Sequence, residues 1–159
     1  MGIKLLGMSV VLLGGLILGI SLNKRAEAEL REAEGWTEFL RYVTEKVSVF
    51  GKPINEIISE CDVELLKRCG FIENVGSTVS FKEMVMTCAL HDRECENIAR
   101  AFAESFGKAD RLEQIKHCEY HTRLMETRKN VLAEKLTGQK KINMTLSVSV
   151  ALAIIIILL

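Results

Sequence analysis

The chain carries an apolar run at each end, and each run is long enough to cross a membrane as a helix. The first, Ile3 to Leu22, has 20 residues and a single charge. With a rise of about 1.5 Å per residue it would reach about 30 Å, the thickness of a bilayer's hydrocarbon core. The second, Ile142 to Leu159, has 18 residues and no charge. We therefore predict one transmembrane helix over residues 1–22 and another over 142–159.

Basic residues beside the two runs predict which side of the membrane the middle of the chain occupies. Lys24 and Arg25 follow the first run, and Lys140 and Lys141 precede the second. Segments rich in Lys and Arg next to a span stay in the cytoplasm. The expected location is the cell membrane, crossed twice, with residues 23–141 in the cytoplasm and both termini on the outer side.

A cleavable signal peptide is the alternative for the first run. Ala26, Glu27 and Ala28 resemble the small-residue site at which signal peptides are cut. Cleavage would make the chain an exported, membrane-tethered helical protein. The preceding basic pair and an apolar run longer than about 15 residues are unusual for a signal peptide, so the retained span is preferred.

The composition of residues 23–141 fits one small cytoplasmic domain. This segment holds all 21 acidic residues and all but one of the 21 basic residues, so its net charge is about −1. Nucleic-acid-binding domains need a basic face, and the balance therefore argues against a nucleic-acid partner. Five cysteines without a Cys-x-x-Cys pair suit a reducing compartment better than a disulfide-bonded exterior.

The middle segment predicts helices throughout, because apolar residues recur at steps of three and four. The first helix is expected over residues 24–50 and the second over 54–69, separated by Gly51 and Pro53. A loop is expected over 71–78. The apolar face of the first helix consists of Trp36, Leu40, Val43, Val47 and Phe50.

Two capping sequences and one glycine predict the remaining helix ends. Ser80 followed by Glu83 forms a capping box at the start of a short helix, and a further helix starts near Asp92 and ends at Gly107. Asp110 then caps a long helix. The predicted apolar seam of that helix is Leu112, Ile115, Cys118, Thr122, Met125, Lys129, Leu132 and Leu136. The fold class is therefore predicted to be all-α, a cytoplasmic helical bundle between two transmembrane helices.

Cys88, His91 and Cys95 are the best candidates for metal or thiol chemistry. Their spacing of three and four residues can bring thiolates and an imidazole to one face, a combination that suits zinc. A membrane-bound thiol or metal enzyme that uses these three residues is thus a second alternative. A fourth ligand is missing, however, and all five cysteines fall on apolar stripes, where free cysteine packs as a small hydrophobe. We predict no metal site and no cofactor.

His117, Cys118 and His121 could pair a thiol nucleophile with an imidazole base. On one helix, however, both histidines are expected on a polar face while Cys118 points toward the core. The structural interpretation is preferred, and we predict no catalytic residue.

An ordered set of residues along the chain resembles the stage III sporulation protein AB family. The set comprises Phe39-Leu40-Arg41-Tyr42-Val43, Val47, Phe50, Pro53-Ile54, Glu56-Ile57, Gly70-Phe71, Phe106-Gly107, Asp110 and Gln114. The layout of two terminal runs around a helical middle resembles the family over the whole chain. The last run departs from it, because residues 144–149 read Met-Thr-Leu-Ser-Val-Ser where the family tends to be rich in glycine.

This resemblance implies a non-enzymatic role in endospore formation, in the mother-cell membrane around the forespore. The family is similar to the inner-membrane platform proteins of type II secretion and type IV pilus systems, which implies a cytoplasmic bundle of about six helices. The implied partners are a cytoplasmic secretion-type ATPase, other membrane subunits of a channel-like complex that links mother cell and forespore, and the lipid bilayer. A homo-oligomer is left open. The expected partner-interface residues are Arg41, Tyr42, Glu56, Asp110 and Gln114.

Overall fold

The structure, a computed structural model, describes residues 2–71 and 80–158, with side chains placed over 23–71, 80–143 and at a few later positions. The described residues form six α-helices and no strand, so the all-α prediction is confirmed. The helices are α1 (Gly2–Phe50), α2 (Ile54–Ser59), α3 (Val63–Arg68), α4 (Phe81–Thr87), α5 (Arg93–Ser105) and α6 (Arg111–Leu158). The chain divides into a terminal unit, Met1–Glu27 with Leu132–Leu159, and a central unit, Ala28–Val131.

Both predicted spans fall within helical backbone, the first in α1 and the second in α6. The side chains of residues 1–22 and most of those from 144 onward lie outside the described residues. Within the part of the chain that is described, no helix has the length and apolar character needed to cross a membrane. The two spans therefore stay predictions.

A chain of aromatic rings forms the core of the central unit. The ring of Trp36 lies 5.2 Å from that of Phe71, measured between centroids, and the Trp36 indole donates a hydrogen bond of 3.1 Å to a buried carbonyl, that of Cys69. Phe39 continues the chain toward Phe81, and Phe81 in turn meets Phe102 of α5 at 6.0 Å. Residues from α1, α4 and α5 thus share one hydrophobic core.

Close contact between α1 and α3 depends on a glycine within α1. A Cβ atom on Gly35 would lie 2.9 Å from the Cβ of Arg68 and 3.1 Å from its backbone carbonyl carbon. Real Cβ atoms essentially never approach another heavy atom that closely. The absence of a side chain at this position therefore lets the two helices pack at this distance.

The predicted helix over 54–69 is divided into α2 and α3, which corrects the sequence interpretation. Asp62 separates them, because its carboxylate accepts a hydrogen bond of 3.2 Å from the backbone N–H of Glu64 and caps α3. A capping aspartate in an extended conformation ends one helix and begins the next. Gly70, with φ of 85°, follows the end of α3 as predicted. Most of the predicted loop over 71–78 lies outside the described residues.

The remaining predicted helix ends are confirmed. Both hydrogen bonds of the Ser80 and Glu83 capping box are present, at 3.0 and 3.3 Å. Asp92 caps α5, and Gly107 follows that helix with φ of 80°. The carboxylate of Asp110 accepts a hydrogen bond of 2.9 Å from the first turn of α6.

Two residues of α6 are placed differently from the sequence prediction. Leu112, assigned to the apolar seam, is 65% exposed. His121, assigned to a polar face, is 4% exposed and packs against the ring of Phe102 at 5.6 Å. Cys118 and Met125 are fully buried as predicted.

Candidate functional site

An exposed surface surrounds the junction between α1 and α2 and the start of α6, all within the central unit. We call it the turn surface. Its residues are Tyr42, Lys46, Val49, Phe50, Lys52, Glu56, Arg111 and Leu112.

The turn surface is held together by a contact between the last turn of α1 and the first of α6. Gly51, with φ of 61°, ends α1 in a conformation that side chains disfavour. The guanidinium of Arg111 donates a hydrogen bond of 2.6 Å to the carbonyl of Ser48 and lies 3.4 Å from that of Val49. The last carbonyls of a helix lack partners within the helix, and a cation there also favours the helix dipole. Arg111 therefore fixes the beginning of α6 against the end of α1.

Three large apolar side chains are exposed on the turn surface. Val49 is 61% exposed, Phe50 60% and Leu112 65%. Phe50 was predicted on the buried face of the first helix, and this prediction is wrong. The contact of Arg111 with α1 brings Leu112, its neighbour in the chain, to the same end of the unit as the other two. A group of exposed apolar side chains is more informative than a single one, because such groups mark interaction surfaces.

Charged groups border these apolar side chains. The ammonium of Lys46 lies 5.3 Å from the ring centroids of both Tyr42 and Phe50, a cation–π arrangement. Lys52 forms ion pairs with Glu56, at 2.7 Å, and with Glu60. Hydrogen bonding to Glu56 and then Glu60 raises the pKa of Lys52 to about 12, and the bond to Lys52 lowers the pKa of the Glu60 carboxyl. The border thus has both signs of charge in fixed positions.

A groove of about 520 Å³ runs between α1 and α6 beside the turn surface. It is lined by Arg41, Thr44, Glu45 and Ser48 of α1 and by Glu119, Thr122 and Arg123 of α6. The lining carries two cations and two anions, so the groove has no strong preference for either sign. An ion pair between Arg41 and Glu126 connects the two helices here.

The three residues considered for metal or thiol chemistry have separate partners in the structure. The thiol of Cys88 donates to the carbonyl of Gly70 at 3.3 Å, and burial raises its pKa to about 11. The ring nitrogen Nδ1 of His91 lies 2.6 Å from the Glu32 carboxylate. Cys95 is fully buried, and burial raises its pKa further still. Thiolates are the reactive and metal-binding form, and these pKa shifts disfavour it. Among the described residues no group of three His, Cys, Asp or Glu side chains could hold a metal ion.

The second thiol arrangement is built into the core. The rings of His117 and His121 stack with centroids 4.3 Å apart, and Nδ1 of His121 lies 2.9 Å from the carbonyl of His117. Burial lowers the pKa of His121, and it raises the pKa of Cys118 to about 12. Both groups are therefore held in their neutral forms near pH 7.

Comparison with known families identifies the chain. The family model for stage III sporulation protein AB matches residues 4–159, essentially the whole sequence. The chain belongs to this family. The resemblance seen in the sequence is thereby confirmed, and the family gives the chain a sporulation-related role. No curated protein and no solved structure matches the chain.

The five interface residues inferred from the family resemblance are spread over two neighbouring features. Tyr42 and Glu56 lie on the turn surface, whereas Arg41 borders the groove. Asp110 caps α6, and its backbone carbonyl accepts a hydrogen bond of 2.8 Å from Gln114. The cap is a sufficient local role for Asp110, whereas the hydrogen bond of Gln114 involves only its backbone. Contact of any of the five with another protein stays a prediction.

Four residues of the turn surface were not predicted from the sequence: Lys46, Val49, Lys52 and Arg111. The sequence did contain one indication that apolar side chains are exposed at the end of α1. Val49 and Phe50 are adjacent at a helix end, and two neighbouring helical residues cannot both face one core. The role of Arg111 had no signal, because it depends on where α6 begins in space.

A separate cluster fixes the beginning of α5. Arg128 donates two hydrogen bonds to the carboxylate of Asp92, at 3.0 and 2.6 Å, and forms an ion pair of 2.7 Å with Glu94. The Asp92 carboxylate also accepts the backbone N–H of Cys95 at 2.9 Å. The Arg128 guanidinium lowers the pKa of Asp92 to about 2. This cluster is satisfied internally, so we assign it to stability.

Proposed function

We propose that the chain is a non-enzymatic membrane platform component of a sporulation complex between mother cell and forespore, and that its turn surface docks a cytoplasmic secretion-type ATPase. Residues 1–22 and 142–159 would cross the mother-cell membrane, with both termini outside and the helical bundle in the cytoplasm. Family membership over residues 4–159 supports the sporulation role. The apolar runs and their basic flanks support the membrane topology.

The observation that carries the docking proposal is the exposed apolar group on the turn surface. Protein interfaces combine an apolar centre with a polar rim. Val49, Phe50 and Leu112 supply the centre, while Lys46 and Lys52 lie in the rim. The rim charges are partly oriented by their own ion pairs, so less conformational entropy is lost when a partner binds.

The docking proposal is tested by capture of the ATPase from sporulating cells after crosslinking. The test variants are Phe50→Asp and Leu112→Asp, which place a charge in the apolar centre. The control is Val63→Asp, since Val63 is also an exposed apolar residue, at 53%, but lies at the start of α3 outside the turn surface. Loss of an interface hot spot costs about 2 kcal/mol or more, so capture should fall roughly 30-fold in the test variants.

Equal capture by all variants would place the ATPase contact elsewhere on the molecule. Absence of a secretion-type ATPase from every crosslinked sample would remove the docking proposal altogether. Equal loss in the Val63→Asp control would indicate a general defect rather than a surface contact.

The topology is tested by thiol labelling in intact cells. The five native cysteines are buried, so a reactive site must be introduced. Lys108→Cys is suitable because Lys108 is exposed in the connection between α5 and α6. A membrane-impermeant maleimide should label this variant after permeabilisation and not before. Labelling in intact cells would instead support the exported, tethered alternative.

A further inference from the structure

Two pairs of basic residues that are far apart in sequence lie side by side within the terminal unit. The amide of Asn143 in α6 donates a hydrogen bond of 2.9 Å to the side-chain oxygen of Asn23 in α1. About one turn away, the ammonium of Lys140 lies 2.9 Å from the carboxylate of Glu27. These contacts hold α1 and α6 together where the first apolar run ends and the second begins. We call the four cations at this level the basic collar: Lys24, Arg25, Lys140 and Lys141.

The basic collar carries an excess of positive charge. Within the segments 23–27 and 140–143, Glu27 is the one acidic residue. It is engaged by Lys140, whose own side chain remains 52% exposed. Lys24 and Lys141 are exposed on the two helices. The two segments together carry four basic side chains and one acidic side chain, a formal net charge of +3.

We propose that the basic collar binds the headgroups of anionic phospholipids. This inference rests on the proposed membrane topology, because it requires the apolar runs Ile3 to Leu22 and Ile142 to Leu159 to lie in the bilayer. In that arrangement the collar would face the phosphate level of the cytoplasmic leaflet. A Lys or Arg near an anionic bilayer surface contributes about 1 kcal/mol, equivalent to about fivefold in binding. Two helices that present cations together should therefore select anionic lipids from a mixed bilayer.

The experiment measures which lipids contact the full-length protein in a bilayer. The protein is reconstituted into phosphatidylcholine membranes that contain a minority of phosphatidylglycerol. Electron spin resonance with spin-labelled lipids of each class then gives the selectivity for phosphatidylglycerol over phosphatidylcholine. The test variant is Lys24→Gln with Lys141→Gln, and the matched control is Lys82→Gln with Lys108→Gln, two exposed lysines of the central unit.

We expect wild type and control to select phosphatidylglycerol several-fold, and the selectivity to fall toward one as salt is added. The test variant lacks two of the four cations, so its selectivity should fall from several-fold toward one. Equal selectivity in test and control variants, or none in the wild type, overturns the lipid proposal.

Alkaline carbonate extraction of the same membranes separates this inference from the proposed function. Retention of the protein in the pellet together with absent selectivity would overturn the lipid proposal alone. Release into the supernatant would overturn the membrane topology and the lipid proposal with it.

Discussion

Replacement of Gly35 by alanine should destabilise the chain even though alanine is the better helix former. A Cβ atom at this position would approach three atoms of Arg68 at 2.9, 3.1 and 3.2 Å, two of them in the backbone. Backbone atoms cannot rotate aside, so α1 and α3 would have to separate. Overpacking of this kind costs about 3 kcal/mol at its upper end, and helix propensity returns about 1 kcal/mol. The net loss for Gly35→Ala should be about 2 kcal/mol.

Gly138 provides the matched control within α6. A Cβ atom there would meet nothing within 4 Å. Gly138→Ala should therefore change only the helix propensity of this position and stabilise the chain by about 1 kcal/mol. The two substitutions make the same chemical change in a helix and should shift stability in opposite directions, with a difference of about 3 kcal/mol between them.

The assay is urea unfolding of the full-length chain in detergent, followed by far-ultraviolet circular dichroism for both variants. Fluorescence of Trp36, the one tryptophan in the sequence, reports separately on the core next to Gly35. If Gly35→Ala proved as stabilising as Gly138→Ala, the close contact between α1 and α3 would be refuted. An equal loss in both variants would instead show that helix propensity does not govern either site.

Other contacts give predictions of similar size. Asp92→Asn should cost about 2–3 kcal/mol in urea unfolding, because Arg128 would lose a charged acceptor. Asp92 ionises at a pKa of about 2 in the folded chain, below its value in the unfolded chain. Its contribution to the free energy of unfolding is therefore present above about pH 4 and is lost as the pH falls toward 2. Urea midpoints should fall less across this range in the Asp92→Asn variant than in the wild type. Ser80→Ala removes the cap of α4 and should cost about 1 kcal/mol in the same assay. Burial lowers the pKa of His121, so its contribution to stability is present above about pH 6.5 and declines below that pH. In the His121→Leu variant the urea midpoint should therefore change less between about pH 7 and 5 than in the wild type.

The sequence predicted the fold class and most helix ends because those depend on neighbours in the chain. The capping box at Ser80 and the cap at Asp110 are local hydrogen-bonding patterns, and both are present. The division of the second helix at Asp62 was missed, although aspartate is a good cap, because the apolar stripe continues across it. Contacts between distant segments, such as Asn23 with Asn143, have no sequence signal of their own.

The difference between contacts with neighbours in the chain and contacts between distant segments also explains why the candidate site was only partly predicted. Tyr42 and Glu56 were inferred from the family resemblance, and they lie on the turn surface. Phe50 was assigned to the core because it continues a regular apolar spacing. Its exposure follows from its position at the last residue of α1, where the helix ends before the face is covered.

The error in α6 concerns two residues whose polarity does not match their burial. The sequence prediction placed Leu112 inward and His121 outward, whereas Leu112 is exposed and His121 is buried. The buried residues of α6 within the central unit are Cys118, His121 and Met125, spaced by three and four residues as in a helix that packs along a single seam. His121 is polar, so apolar periodicity alone could not identify it.

Three polar residues of α6 fix this helix against its neighbours in the central unit. Arg128 holds Asp92 at the beginning of α5, and His121 packs on Phe102 near its end. Arg111 holds the last carbonyls of α1. Arg111 is itself exposed, and Leu112, the next residue in the helix, points in another direction and is exposed as well. Because the contact of Arg111 places Leu112 at the end of α1, the proposed partner would cover the leucine together with Val49 and Phe50.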